Sequence, residues 1–256
     1  MESLILERLK LKMQPVGVSF TDIKPDNSFE PERDKRTCVM TMILECSKGR
    51  IVAFSDETCT CAGGAVGLCF GDAFTRRKHK TVELLSTGME NTGNTDKGTA
   101  TLSPHLRYGE RFFASPEIAQ RWKESLPYTD ALGKYTVLTP LSEWDENKPP
   151  ELVYLFADPD QLSALVIMCG FYRGAPLNVV APFAAACQSI LLAYQEINKD
   201  EPKAIMGGFD ISQRHSFSKE LLTLTMPYRM FSEIESGIDK GCLTTDSWTH
   251  IAHRFD

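Results

Sequence analysis

Short apolar runs alternate along this chain with longer amphipathic stretches, and their order predicts a layered α/β protein. The first stretch, Met1 to Met13, carries Glu2, Glu7, Arg8, Lys10 and Lys12 among Leu4, Ile5, Leu6, Leu9 and Leu11. That pattern predicts an amphipathic surface helix, not a secretory signal, because no uncharged core precedes a small-residue cleavage site. Pro15 to Phe20 alternates small and large apolar residues as a first strand, and polar Asp22 to Arg36, with two prolines, follows as a loop. Thr37 to Ser47 reads as a helix with Thr37 as its N-cap and Gly49 just past its end. Arg50 to Ser55 is a second strand and Ala62 to Phe70 a short helix.

The later chain repeats the alternation. Ser115-Pro116-Glu117 opens a helix running to about Glu124, with a serine cap and proline in the first turn. Tyr135 to Leu141 and Glu151 to Phe156 read as strands, and Asp158-Pro159 starts an apolar helix over Asp160 to Phe171. Pro182 to Ile197 is an alanine- and leucine-rich helix. Lys203 to Met206 is a strand ending at Gly207-Gly208, Glu220 to Met226 another strand, and Pro227 to Ser236 a helix. The expected fold is a single compact α/β unit over residues 1–256, its mixed sheet carrying helices packed on its faces. Thr75 to Ser115 breaks the rhythm. Its Gly/Thr/Asn-rich part, about residues 86–101, reads as a binding loop or lid. The basic run Arg76 to Lys80 within it reads as a solvated surface.

Composition narrows the function classes. A net charge of −6 and an isoelectric point near 5.5 argue against nucleic acid as the main partner, since phosphate binding needs a basic face. The longest near-continuous apolar run, Leu162 to Tyr172, is too short to span a bilayer, so no membrane partner is expected. The expectation is a cytoplasmic protein whose partner is a small molecule or metal cofactor, with a homo-oligomer left open.

The chemistry concentrates in the cysteines, of which there are eight. In a reducing compartment they are free, catalytic or metal-bound more often than paired. Cys46, Cys169 and Cys242 read as small buried hydrophobes. Cys38, on the second residue of its helix, Cys61, just before Gly63-Gly64, and Cys187, one turn into its helix, all fall near helix starts. Helix starts favour the thiolate, the form that binds metals and attacks electrophiles. These three are the candidate metal ligands, for an iron–sulfur cluster or another thiolate-bound metal, with Cys59 or Cys69 as an accessory thiol. No Cys-x-x-Cys pair or His-x-x-x-His spacing accompanies them.

A second reading treats Gly63 and Gly64, with Gly207, Gly208 and Arg214, as the cradle of a small anionic ligand. Cys61 is then the catalytic nucleophile and the Thr87–Gly98 loop a lid. Gly-Gly-x-x-Gly lacks the Lys-Ser/Thr of a phosphate-binding loop and the full Gly-x-Gly-x-x-Gly of a dinucleotide turn. A third reading is a non-catalytic interaction domain whose cysteines only fill core space. His79, His105, His215, His250 and His253 sit in no catalytic signature.

Several of these residues, taken in order, resemble one family. They are Cys38 ahead of Lys48-Gly49, Cys-Ala-Gly-Gly-Ala at Cys61 to Ala65, Gly109-Glu110-Arg111-Phe112-Phe113 before Ser115-Pro116-Glu117, Ala186-Cys187, and Glu220 to Pro227. The chain resembles the archaeal and bacterial family catalogued as domain of unknown function 169, whose members typically show Cys-Pro-Gly-Gly-Ala in the second position. The resemblance covers nearly the whole chain and implies one domain unit with its site at these cysteines, but no activity. Ala62 stands here in place of the usual proline. Many relatives also carry a further cysteine where this chain has Gly207-Gly208.

Overall fold

The computed structural model describes residues 3–88, 108–183 and 187–255. Most of the expected 86–101 loop therefore lies outside the described residues. The chain gathers into two compact units, one of Met1–Gly71 with Thr129–Asp256 and one of Asp72–Tyr128.

The larger unit is built on one sheet. Its strands are β1 (Val16–Thr21), β2 (Val52–Phe54), β3 (Tyr135–Pro140), β4 (Leu152–Ala157), β5 (Val179–Val180), β6 (Ala204–Gly207) and β7 (Leu222–Pro227), in the order β2-β3-β1-β4-β7-β6-β5. Every neighbouring pair is antiparallel except β5–β6, so the sheet is mixed, as expected. The two-residue β5 leaves no periodicity to detect, which is why the sequence pattern misses it.

Because side chains alternate across a strand, register fixes what each face carries. One face presents Val153, Leu155, Ala157, Leu224 and Met226, which form an apolar core with helices α1 (Leu4–Arg8), α7 (Pro159–Cys169) and α9 (Tyr228–Gly237). Helix α7 starts at a complete capping box: the Asp158 carboxylate accepts from the Gln161 amide and Gln161 reaches back to the Asp158 amide. Helix α1 is shorter than expected. Ser3 caps it, and the half-buried Glu235 carboxylate accepts from its first amides, Leu4 and Ile5.

The opposite face is more polar. Tyr154 pairs with Thr225, Phe156 with Thr223, and Thr223 in turn with Gly207, so these five share that side. It is covered by α2 (Val39–Ser47), α3 (Ala62–Gly67) and α8 (Gln188–Tyr194). Tyr154 Oη donates to Met40 Sδ on α2 at 3.3 Å, the Ser189 and Thr225 hydroxyls bond at 2.9 Å, and Thr136 Oγ1 donates to Leu68 O at 2.8 Å. Helix α3 ends at Gly67, short of the expected Phe70, and Cys69 takes a left-handed φ of +63° just beyond it.

The smaller unit holds α4 (Ala73–Arg76), α5 (Thr81–Leu85) and α6 (Pro116–Ser125), the last capped by Ser115 with proline in its first turn, as the sequence indicates. Trp122 gathers Phe74 and Phe113 around it. Among the described residues no helix is long and apolar enough to cross a membrane.

Candidate functional site

Each of the three cysteines singled out near helix starts is an N-cap residue: Cys38 of α2, Cys61 of α3 and Cys187 of α8. Thr37 is thus not the cap of its helix. Cys187 stands at the start of α8, not one turn inside it, because Pro182 and Phe183 are not helical. The Cys61 sulfur accepts from the Gly64 amide at 3.4 Å, as a serine oxygen would in the same place.

Helix α3 explains how these three ends meet. Its sequence, Ala-Gly-Gly-Ala-Val-Gly, puts Gly64 and Gly67 three residues apart and therefore on one face. A Cβ on Gly64 would lie 2.6 Å from Val39 Cγ2 at the start of α2, and one on Gly67 would lie 2.7 Å from the Cys187 carbonyl oxygen at the start of α8. These two glycines let α3 wedge between the starts of the other two helices. Close packing therefore holds positions 64 and 67 to glycine.

Side chains tie the segments further. The Thr37 amide donates to Thr60 Oγ1 at 3.2 Å, and that hydroxyl donates to Lys35 O at 3.3 Å, strapping the Cys38 approach to the Cys59–Cys61 turn. Cys38 Sγ donates to Gln213 Oε1 at 2.9 Å, and Cys187 Sγ donates weakly to Gly63 O at 3.9 Å. Cys59 is fully buried beside them, its sulfur 3.7 Å from Cys61 O.

The thiols feel one another. Burial pushes the Cys187 thiol well above its ordinary range, and Cys61, Cys38, Asp210 and Cys59 add to the rise. Burial also raises Cys61, with Cys38 adding, while the Gly64 amide and Arg36 pull the other way. The thiolate preference expected from helix starts is therefore overridden at both residues, because desolvating the charged form outweighs a single turn of helix dipole. Below them Tyr154 is held far above the normal phenol range by burial, with Cys187 and Cys38 contributing against its neighbouring hydroxyls.

The remaining candidates occupy other places. Cys69 is buried and its thiol is pushed up to about 12 by burial, close enough to Tyr194 to raise that phenol too. Cys46 and Cys169 are fully buried, as expected, and Cys242 begins a one-turn 3-10 helix, Cys242–Thr244. Gly208, at φ +82°, turns the chain away from β6. Arg214 faces its own loop: its guanidinium donates to Lys219 O at 2.7 Å and to Leu221 O, and lies 4.7 Å over the Phe217 ring. The sequence pattern misses Gln213, Asp210 and Tyr154. The first two lie on or beside a 3-10 helix, Ile211–Ser216, whose single turns leave no periodic signal.

Among the described residues no three His, Cys, Asp or Glu side chains form a group able to hold a metal ion as they stand. The family model for domain of unknown function 169, described as an uncharacterised ArCR, matches residues 5–237. No curated protein and no solved structure matches the chain.

Proposed function

The chain belongs to the family catalogued as domain of unknown function 169, and on that premise we propose that it binds a metal-containing cofactor through Cys38, Cys61 and Cys187. One observation carries the reading: three N-cap cysteines from distant segments lie close enough that Cys61 and Cys38 each raise the Cys187 thiol. Thiols that desolvate and repel one another stay protonated until a cation replaces their protons, and metal binding does that. A single zinc ion bonds sulfur at about 2.3 Å and so needs its thiolates within about 4 Å of each other. An iron–sulfur cluster, whose irons are held by cysteine thiolates, is the cofactor tested first. The acidic net charge of −6 accords with a small cofactor rather than nucleic acid as the partner.

The nucleophilic reading has less behind it. A catalytic Cys61 needs a lowered pKa, and burial raises it. The cation assigned to the anionic ligand, Arg214, bonds carbonyls of its own loop.

The test is oxygen-free purification followed by absorption spectroscopy and analysis for iron and acid-labile sulfide. The reading expects stoichiometric iron and sulfide with a charge-transfer band that Cys61→Ser abolishes. A folded protein that stays colourless even after incubation with ferrous iron and sulfide would refute it.

A further inference from the structure

Arginine ordinarily reaches for water while large apolar side chains are covered, and the loop that follows α7 reverses both habits. Residues 171–177 read Phe-Tyr-Arg-Gly-Ala-Pro-Leu, with Arg173 as the one charge. That charge is turned inward. Its guanidinium donates to Cys169 O at 3.1 Å and pairs with Glu233 on α9, which leaves the side chain only 10% exposed. The apolar groups face outward instead: Ile167 in the last turn of α7 is 58% exposed, Phe171 39%, Tyr172 53% and Leu177 63%. They make one surface. The Phe171 and Tyr172 rings meet edge to face with centroids 4.8 Å apart, and both lie against Gly237 at the end of α9, where a Cβ would come within 3.0 Å of each. At the loop's other end the Asn178 amide donates to Ala175 O and rests on Gly170, which draws Leu177 back toward the end of α7.

Area and charge decide what covers this surface. At roughly 150–250 Å² for each of the four side chains, their exposed parts amount to about 300–500 Å². A stable dimer buries about 800 Å² on each copy, of which about 500 Å² is apolar where the copies are identical, so the patch supplies most of that share. The charges beside it are largely balanced: Arg173 and Arg229 both pair with Glu233, and Arg8 with Asp239. A basic or acidic partner would find no opposite charge to meet, and an anionic lipid surface would find no outward cation on the loop. A second copy carries the same net charge of −6 and is repelled wherever charge is unbalanced, so a neutral apolar surface is where it can approach. We infer that Ile167, Phe171, Tyr172 and Leu177 form the centre of a two-fold interface between copies of this chain. In a two-fold pair the same patch meets itself, which an uncharged surface tolerates. The inference is independent of the cofactor reading, because none of these residues belongs to the cysteine site.

Sedimentation equilibrium of the full chain, from low to high micromolar concentration, tests it. The unsubstituted protein should show a reversible monomer–dimer equilibrium. Tyr172→Ala should raise the dissociation constant about thirtyfold, the effect of losing one central aromatic anchor. Leu177→Glu replaces an exposed side chain, so the chain should still fold, and it sets like charges against each other across the two-fold axis. That variant should remain monomeric throughout. Ile23→Glu, at a residue 80% exposed outside the patch, should dimerise as the unsubstituted protein does. Thermal melting shows that each variant is folded. An unsubstituted chain that stays monomeric over the whole range overturns the inference, and so does a dimer that neither Tyr172→Ala nor Leu177→Glu weakens. A monomer that instead co-sediments with phosphatidylcholine vesicles overturns it in favour of a lipid surface.

Discussion

Replacing Gly67 by alanine tests the claim that α3 is a wedge. In an isolated helix the change would stabilise by about 1 kcal/mol, since glycine is a poor helix former. Here the added Cβ would sit 2.7 Å from the Cys187 carbonyl oxygen, 2.9 Å from its carbon and 3.2 Å from the Gln188 nitrogen. All three atoms are backbone, so no side chain can rotate away. The start of α8 must move off α3 by about half an ångström or more to restore ordinary contact. Overpacking of this kind costs about 1–3 kcal/mol. Set against the helix-propensity gain, the net loss is about 0–2 kcal/mol, or up to about 8 °C in melting temperature for a chain of this size. Thermal melting of the unloaded protein measures it. Because Cys187 moves with the start of α8, iron and sulfide uptake should fall as well. A Gly67→Ala protein that melts at or above the unsubstituted temperature and loads normally would refute the wedge. The glycine would then be dispensable to the site.

Further expectations follow from the same geometry. Because burial raises the Cys61 and Cys187 thiols, the unfolded chain loses these protons at lower pH than the folded one. Their contribution to stability is full below the ordinary thiol pKa of about 8.5 and is lost as pH rises above it. Melting temperature should therefore decline between about pH 8.5 and 10, and Cys61→Ala with Cys187→Ala should flatten that decline. Gln213→Ala removes the acceptor of the Cys38 thiol. Cys38 should then alkylate several-fold faster at neutral pH, read by mass spectrometry of the labelled peptide. Arg214→Ala loses three carbonyl contacts, to Gly208, Lys219 and Leu221, and the Phe217 stack, and should cost about 1–3 kcal/mol in denaturant unfolding. Lysine at 214 should not restore it, since a single ammonium does not reproduce the planar fork.

The fold was legible where period and length are strong, and the site was legible only in its residue types. Leu152 to Ala157 and Leu222 to Pro227 are long enough for their apolar content to mark strands, and Asp158-Pro159 declares the start of α7 through its cap. What the sequence could not supply was parity. Thr223 and Thr225 read as ordinary strand threonines until register put them with Tyr154 on the face that α2, α3 and α8 cover. The same holds for the glycines of α3. Gly-Gly-x-x-Gly after a strand suggests a cradle for phosphate, because the local pattern carries no information about what approaches each position. Only the tertiary neighbours, Val39 on one side and the Cys187 carbonyl on the other, assign Gly64 and Gly67 to helix packing. The cysteines divide along the same line. Their placement at helix starts is local and could be read. Their burial is not local, and it reverses the sign of the pKa shift that a helix start alone implies at Cys61 and Cys187. That reversal also separates the competing chemistries. A nucleophile needs its thiolate before substrate arrives, whereas a metal ligand gives up its proton only as the metal binds, and the raised Cys61 and Cys187 thiols accord with the second, as proposed above.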